Sequence, residues 1–170
     1  MDSTGKINVE LRTIAYYEVE IRRGLGRIRS NSNFFNSVND GQDLIEEDFL
    51  LPECIAVGLS SSKFSADCRL PGWDSESYGY HGDDGGLFHG NGRQISEYGT
   101  RFGIGDIVGC GINYKTKTIF FTLTGVHLGD AFHNVSGILY PTVGIDAQVN
   151  ITFNFGRKPF KFQLNSPETL

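Results

Sequence analysis

Two histidines and two aspartates fall within one short run, Tyr78-Gly-Tyr-His-Gly-Asp-Asp-Gly-Gly-Leu-Phe-His89. His81, Asp83, Asp84 and His89 offer the nitrogen and oxygen donors of a metal site. Zinc ligands generally stand at i, i+4 on a helix or on paired short loops. Calcium loops place oxygen donors at alternate positions and end in a bidentate carboxylate. This run follows neither pattern, so its spacing predicts no metal. Adjacent Asp83 and Asp84 also make a poor acid–base pair, because neighbours on a strand point to opposite faces.

Other catalytic signatures are missing too. The chain has no GxSxG, no cysteine in a recognisable nucleophile setting and no GxxxxGK[ST] phosphate loop. Gly24-Leu-Gly26 and Gly90-Asn-Gly92 lack the third glycine and the strand–helix context of a dinucleotide site. The sequence therefore reads as non-catalytic and without a cofactor. The run fits a hairpin better. Tyr78-Gly-Tyr80 makes a short strand with both rings on one face, Gly82–Gly86 a turn in which Asp side chains bond backbone N–H groups, and Leu87-Phe88 the start of the return.

Strands of the same kind recur along the chain. Ile14–Ile21, Cys54–Leu59, Ile107–Tyr114, Thr118–Leu123, Tyr140–Ile145 and Val149–Phe155 are apolar, aromatic or β-branched runs closed by Gly, Asn, Asp or Pro. Helical periodicity is nearly absent. Short strands with turn signals between them predict an all-β sandwich or barrel. Tyr114–Lys117 and Thr124-Gly125 are the two turns of an expected antiparallel meander. Between them, Ile119, Phe121 and Leu123 form an apolar face, while Thr118, Phe120 and Thr122 form one only partly polar. A strand covered on both sides reads this way.

At 170 residues the chain suits a single domain with a core of its own. Its net charge of -5, with no compensating basic cluster, argues against nucleic-acid binding. No apolar run approaches the ~20 residues of a membrane helix, and residues 1–10 show no signal pattern. Cys54, Cys68 and Cys110 lack CxxC spacing and are odd in number, which argues against disulfides and zinc fingers. Their usage points to the cytoplasm, with the nucleus as a further setting. Residues 24–52, rich in Asn, Ser and Gly before an acidic stretch, read as a long flexible insertion. Residues 163–170 read as a tail.

Several segments together resemble a known family. Leu70-Pro-Gly-Trp73, "YGYHGDDG", "GDIVGCGIN", "FFTLTG" and "LYPTVG", preceded by "YYEVEI" at 16–21, follow in order the pattern of SPRY domains of the RanBPM type. The resemblance runs from about Tyr16 to Phe162. It implies a two-sheet antiparallel β-sandwich that binds protein partners through loops at one end. RanBPM-type proteins are scaffold subunits of the CTLH/GID ubiquitin ligase, and fungal members hold a substrate receptor through this domain. The resemblance thus implies a protein-interaction module for a short partner segment. Residues 24–52 stand where family members usually carry a short hairpin. The helical LisH, CTLH and CRA regions of full-length members are not in this sequence.

Recognition residues concentrate in loops on a rigid scaffold. Trp73 either anchors a partner or plugs the end of the core; Arg69, before Leu70, either pairs a partner carboxylate or bonds loop carbonyls. Tyr80 and His81 border the site and lean toward the sandwich interior. Asp83 and Asp84 either hold a basic partner group or cap their own turn. The resemblance adds Phe88, where related domains line a peptide pocket with an aromatic ring. Asp146 and Gln148, between two strands, are rim candidates. The rival reading is a lectin-like sandwich that binds carbohydrate or calcium, which chelator-sensitive thermal stability would reveal.

Overall fold

The computed structural model describes residues 13–24, 54–67 and 69–164. The expected insertion falls almost wholly outside these residues, as does most of the expected tail. The described residues contain ten strands: β1 (Ile14–Arg23), β2 (Cys54–Ser60), β3 (Ser77–His81), β4 (Gly86–His89), β5 (Gln94–Glu97), β6 (Ile107–Asn113), β7 (Thr118–Leu123), β8 (Val126–Phe132), β9 (Tyr140–Asp146) and β10 (Val149–Asn154). They form two antiparallel five-stranded sheets. The first has the order β10-β1-β6-β7-β8 and the second β5-β4-β3-β2-β9. No helix among the described residues is long and apolar enough to cross a membrane.

Side chains alternate across each strand, and one parity fills the space between the sheets. Tyr17, Val19 and Ile21 of β1, Val108 and Cys110 of β6, and Ile119 and Phe121 of β7 face Ile55, Val57 and Leu59 of β2 and Tyr80 of β3 in a continuous core. The meander is present as expected. In its first turn the Asn113 carboxamide oxygen accepts the backbone N–H groups of Lys115 and Thr116. In its second, Thr124 and Gly125 both take positive φ, 48° and 87°. That pair of dihedrals suits a two-residue hairpin turn whose twist matches the flanking strands.

Gln94–Glu97 pairs with β4 as an edge strand although its four residues are all exposed. Without a buried face it has no apolar alternation, so its sequence carried no strand signal.

The other parity of each sheet forms an outer face, and both outer faces are covered. On the first sheet, Phe160 and Phe162 pack against Tyr16, and Phe162 also meets Phe120 and His127. This explains the partly polar second face of β7: Phe120 belongs to a small outer cluster beyond the main core. On the second sheet the cover is the segment Arg69–Trp73, which positions the candidate site.

Candidate functional site

Strand pairing defines a grid of residues on the outer face of the second sheet. Cys54 lies opposite Asp146, Ala56 opposite Gly144 and His81, and Gly58 opposite Thr142 and Gly79. Phe88 continues the last row through its pairing with Gly79. Small residues at the centre of this grid leave a trough. A Cβ on Gly144 would lie 2.6 Å from Leu70 Cδ2, and one on Gly79 would collide with the Pro71 carbonyl. Leu70-Pro71-Gly72 therefore sits directly on backbone, and only glycine at these two strand positions permits the approach.

The covering segment is itself a tight turn. Trp73 N–H donates to the Leu70 carbonyl at 3.1 Å, with Pro71 supplying a fixed φ and Gly72 a φ of 95°. Gly72 N–H donates to Ser77 Oγ at 2.8 Å, and that hydroxyl donates to Asp74 Oδ1 at 2.9 Å. Asp74 also receives Glu76 N–H at 3.0 Å and pairs with Arg69 at 3.5 Å. Thus Arg69 is engaged by a carboxylate of its own loop while staying largely exposed. Trp73 stands at the end of the turn, 41% exposed, above Gly92. Of its two expected roles, the structure gives it an accessible ring on a rigid support.

Leu70, Phe88 and His81 are 8%, 8% and 2% exposed. They hold up the turn from beneath, and none offers a broad contact surface. The His81 ring stacks on Phe88 with centroids 3.9 Å apart. Its Nε2 lies 2.8 Å from the Pro71 carbonyl. A carbonyl only accepts, so Nε2 carries the proton and Nδ1 presents a lone pair. Burial lowers the His81 pKa and keeps the ring neutral.

Tyr80 requires a correction. It lies on the opposite face of β3, fully buried against Tyr98, Phe102 and Phe121. Its hydroxyl donates to the Thr100 carbonyl, and burial raises its pKa to about 12. Tyr80 is a core residue without surface for a partner. Its parity partner His89 leaves the opening motif for the same reason. Its ring stacks on Tyr78 at 4.1 Å, and its Nδ1 lies 2.8 Å from the Ser77 carbonyl. His81 and His89 thus face opposite sides of one sheet.

At the hairpin tip, Asp84 caps its own turn by accepting Gly86 N–H at 2.8 Å. Asp83 turns instead toward β2, where Cys54 Sγ lies 3.4 Å from its Oδ1 and 3.9 Å from His81 Nδ1. Cys54 is half-buried, and its thiol pKa is pushed up to about 12 by burial and by Asp83, Asp84 and Asp146. Asp146 and Gln148 are exposed at the end of β9 and in the turn to β10. The site residues foreseen from the sequence thus divide into exposed ones (Arg69, Trp73, Asp83, Asp84, Asp146, Gln148), buried supports (Leu70, His81, Phe88) and Tyr80, which belongs to the core. Cys54 was not foreseen. It lies 27 residues before His81, and only strand pairing unites them.

Comparison with known proteins adds a frame for this arrangement. The family model described as "SPRY domain" matches residues 49–158. The Ran-binding proteins 9/10 homolog of Drosophila melanogaster is 46% identical over 109 residues, which are 64% of this chain and 11% of that protein. Ran-binding protein 9 of Homo sapiens is 43% identical over 65% of this chain and 15% of its own length. The Ran-binding protein M homolog of Arabidopsis thaliana is 40% identical over 67% and 24%. The chain thus spans a quarter or less of these relatives' own lengths. Among solved structures, a human SPRY domain superposes with a TM-score of 0.61 at 27% identity, covering 85% of this chain and 78% of its own.

Proposed function

The chain belongs to the SPRY domain family, a family of protein-interaction modules, and on that premise we propose that it holds a short segment of a partner protein on the outer face of the second sheet. The observation that carries this reading is Trp73. A large ring 41% exposed, on a turn whose neighbours Leu70 and Pro71 are buried, is a preorganised anchor. Aromatic anchors of this kind bury much area, lose little conformational freedom and dominate binding energies. Arg69 beside it, and the carboxylates of Asp83, Asp84 and Asp146 with Gln148 along the border, supply the polar contacts that set register and orientation. Leu70, His81 and Phe88 act from below by keeping the turn in place.

The likeness to Ran-binding protein 9 and its homologues supports a finer reading. The domain serves as a scaffold element of a CTLH/GID-type ubiquitin ligase, in the cytoplasm or nucleus, and the segment it holds belongs to a substrate receptor. One extended segment on such a surface binds with micromolar to nanomolar affinity, about -8 to -12 kcal/mol.

The test is a pull-down from cell extract, read by mass spectrometry, with the wild type beside an Arg69→Ala/Trp73→Ala variant that circular dichroism shows to be folded. Proteins retained by the wild type and lost by the variant, with ligase subunits among them, are the expected result. Identical capture by both forms would remove this face from consideration.

A further inference from the structure

Beyond the parts that Asp83 and His81 play in the docking face, three different metal-ligating chemistries converge where Cys54, His81 and Asp83 meet. Their donor atoms all lie within 4.8 Å of one another. We propose that Cys54 Sγ, His81 Nδ1 and an Asp83 carboxylate oxygen form a site for a borderline-soft divalent cation, with zinc the first candidate.

Distances support it. In a tetrahedral zinc site with Zn–S of about 2.3 Å and Zn–N or Zn–O of about 2.0 Å, donor atoms stand roughly 3.5 Å apart. Here the sulfur lies 3.4 Å from Asp83 Oδ1 and 3.9 Å from His81 Nδ1. The three donor atoms together lie within 4.8 Å, so a turn of the exposed Asp83 carboxylate toward His81 Nδ1 would close the set around an ion.

The tautomer of His81 is already the required one. Its Nε2–H is committed to the Pro71 carbonyl, leaving the Nδ1 lone pair directed at the sulfur. A ligating histidine is typically oriented by such an outer bond from its second nitrogen to a carbonyl or carboxylate. The stack on Phe88 and the cover of Leu70-Pro71 keep the ring from turning away.

The thiol has one proton, and it faces two acceptors, His81 Nδ1 and Asp83 Oδ1. Whichever it serves, the other lone pair confronts sulfur. A cation would satisfy all three donors at once, with the thiol proton released to solvent as the thiolate forms. Asp84 and Asp146 add negative charge around the sulfur, which favours a cation. Asp83 is exposed, so water or a side chain of a docked protein would supply the fourth ligand from its side. The cation site does not depend on the peptide-docking reading.

The test uses the whole chain, reduced and freed of metal, at neutral pH. Zinc titrated calorimetrically is expected to bind one ion per chain. Cys54→Ser and Asp83→Asn should each weaken binding by at least about tenfold, the lower figure for disturbing even the outer partners of metal ligands. Cobalt(II) should give a thiolate charge-transfer band that disappears in Cys54→Ser and persists in Cys68→Ser. Should Cys54→Ser fail to fold, Asp83→Asn decides, because Asp83 is exposed at a turn. Absence of zinc binding, a cobalt complex without the thiolate band, or equal affinity in the wild type and Asp83→Asn would each overturn the proposal.

Discussion

The Phe160–Phe162 segment closes the outer face of the first sheet, and the Arg69–Trp73 turn closes that of the second. Each lies over strands with glycine in their outer rows, Gly109 and Gly111 in one case and Gly79 and Gly144 in the other. What they cover differs. Beneath the first cover, the Glu18 carboxylate accepts Tyr16 Oη–H and the backbone N–H groups of Lys161 and Phe162, each at 3.0 Å. The rings of Tyr16, Phe120 and Phe162 close around it. Glu18 is buried there.

Beneath the second cover, His81 is fixed on one side only, while Trp73, Asp83 and the Cys54 thiol remain at least partly accessible. A cover made from apolar rings and a saturated carboxylate acts as a seal. A cover made from a rigid turn with an exposed ring and an acidic border is the surface on which the proposed recognition rests. On the proposed function, the two covers of one sandwich thus separate stability from binding.

The largest expected effect tests that separation directly. Phe162→Ala removes a buried ring from the first cover and should cost about 3–5 kcal/mol of stability. The folded fraction should keep its partner affinity, as chemical denaturation and binding measured on one preparation would show. Trp73→Ala is the converse: about 2 kcal/mol or more of binding lost, with little change in the denaturation midpoint. If both variants shift both properties, the two faces are coupled and the comparison fails.

Glu18→Gln comes next. It keeps the shape but removes the charge that receives the backbone N–H groups, and should cost about 1.5 kcal/mol by the same denaturation assay. The smallest effect concerns pH. Burial lowers the His81 pKa below its ordinary 6.5, so the unfolded chain takes up this proton first as pH falls. His81 therefore costs no stability above about pH 6.5, and stability declines from there down toward the lowered folded pKa. His81→Gln should flatten that part of the thermal stability profile. An unchanged profile would show that the ring is not held neutral under the turn.

Much of the architecture was readable along the chain. Apolar, aromatic or β-branched runs closed by Gly, Asn, Asp or Pro marked β1, β2, β6, β7, β9 and β10 to within about two residues, because strands that bury one or both faces must carry such side chains. Thr124-Gly125 announced a hairpin turn, and Leu70-Pro-Gly-Trp73 a fixed turn carrying a tryptophan, because proline and glycine restrict backbone wherever they occur. These are local properties, and local sequence determines them.

Tertiary structure decided the rest. Period-2 alternation put Tyr78 and Tyr80 on one face, but only packing against Phe121 and Phe102 made that face the interior and so removed Tyr80 from the surface. The four donors that stand close together in the chain as His81, Asp83, Asp84 and His89 are divided between two faces and a turn. The donor that joins His81 and Asp83 is Cys54, which no spacing rule connects to them. Antiparallel pairing of β2 with β3 sets that neighbourhood, with Ala56 opposite His81 and Cys54 one outer row beyond. The sequence by itself thus determined the strands, the turns and the kinds of side chain they carry. Only long-range register, set by burial of the two inner faces, decided which of those side chains meet.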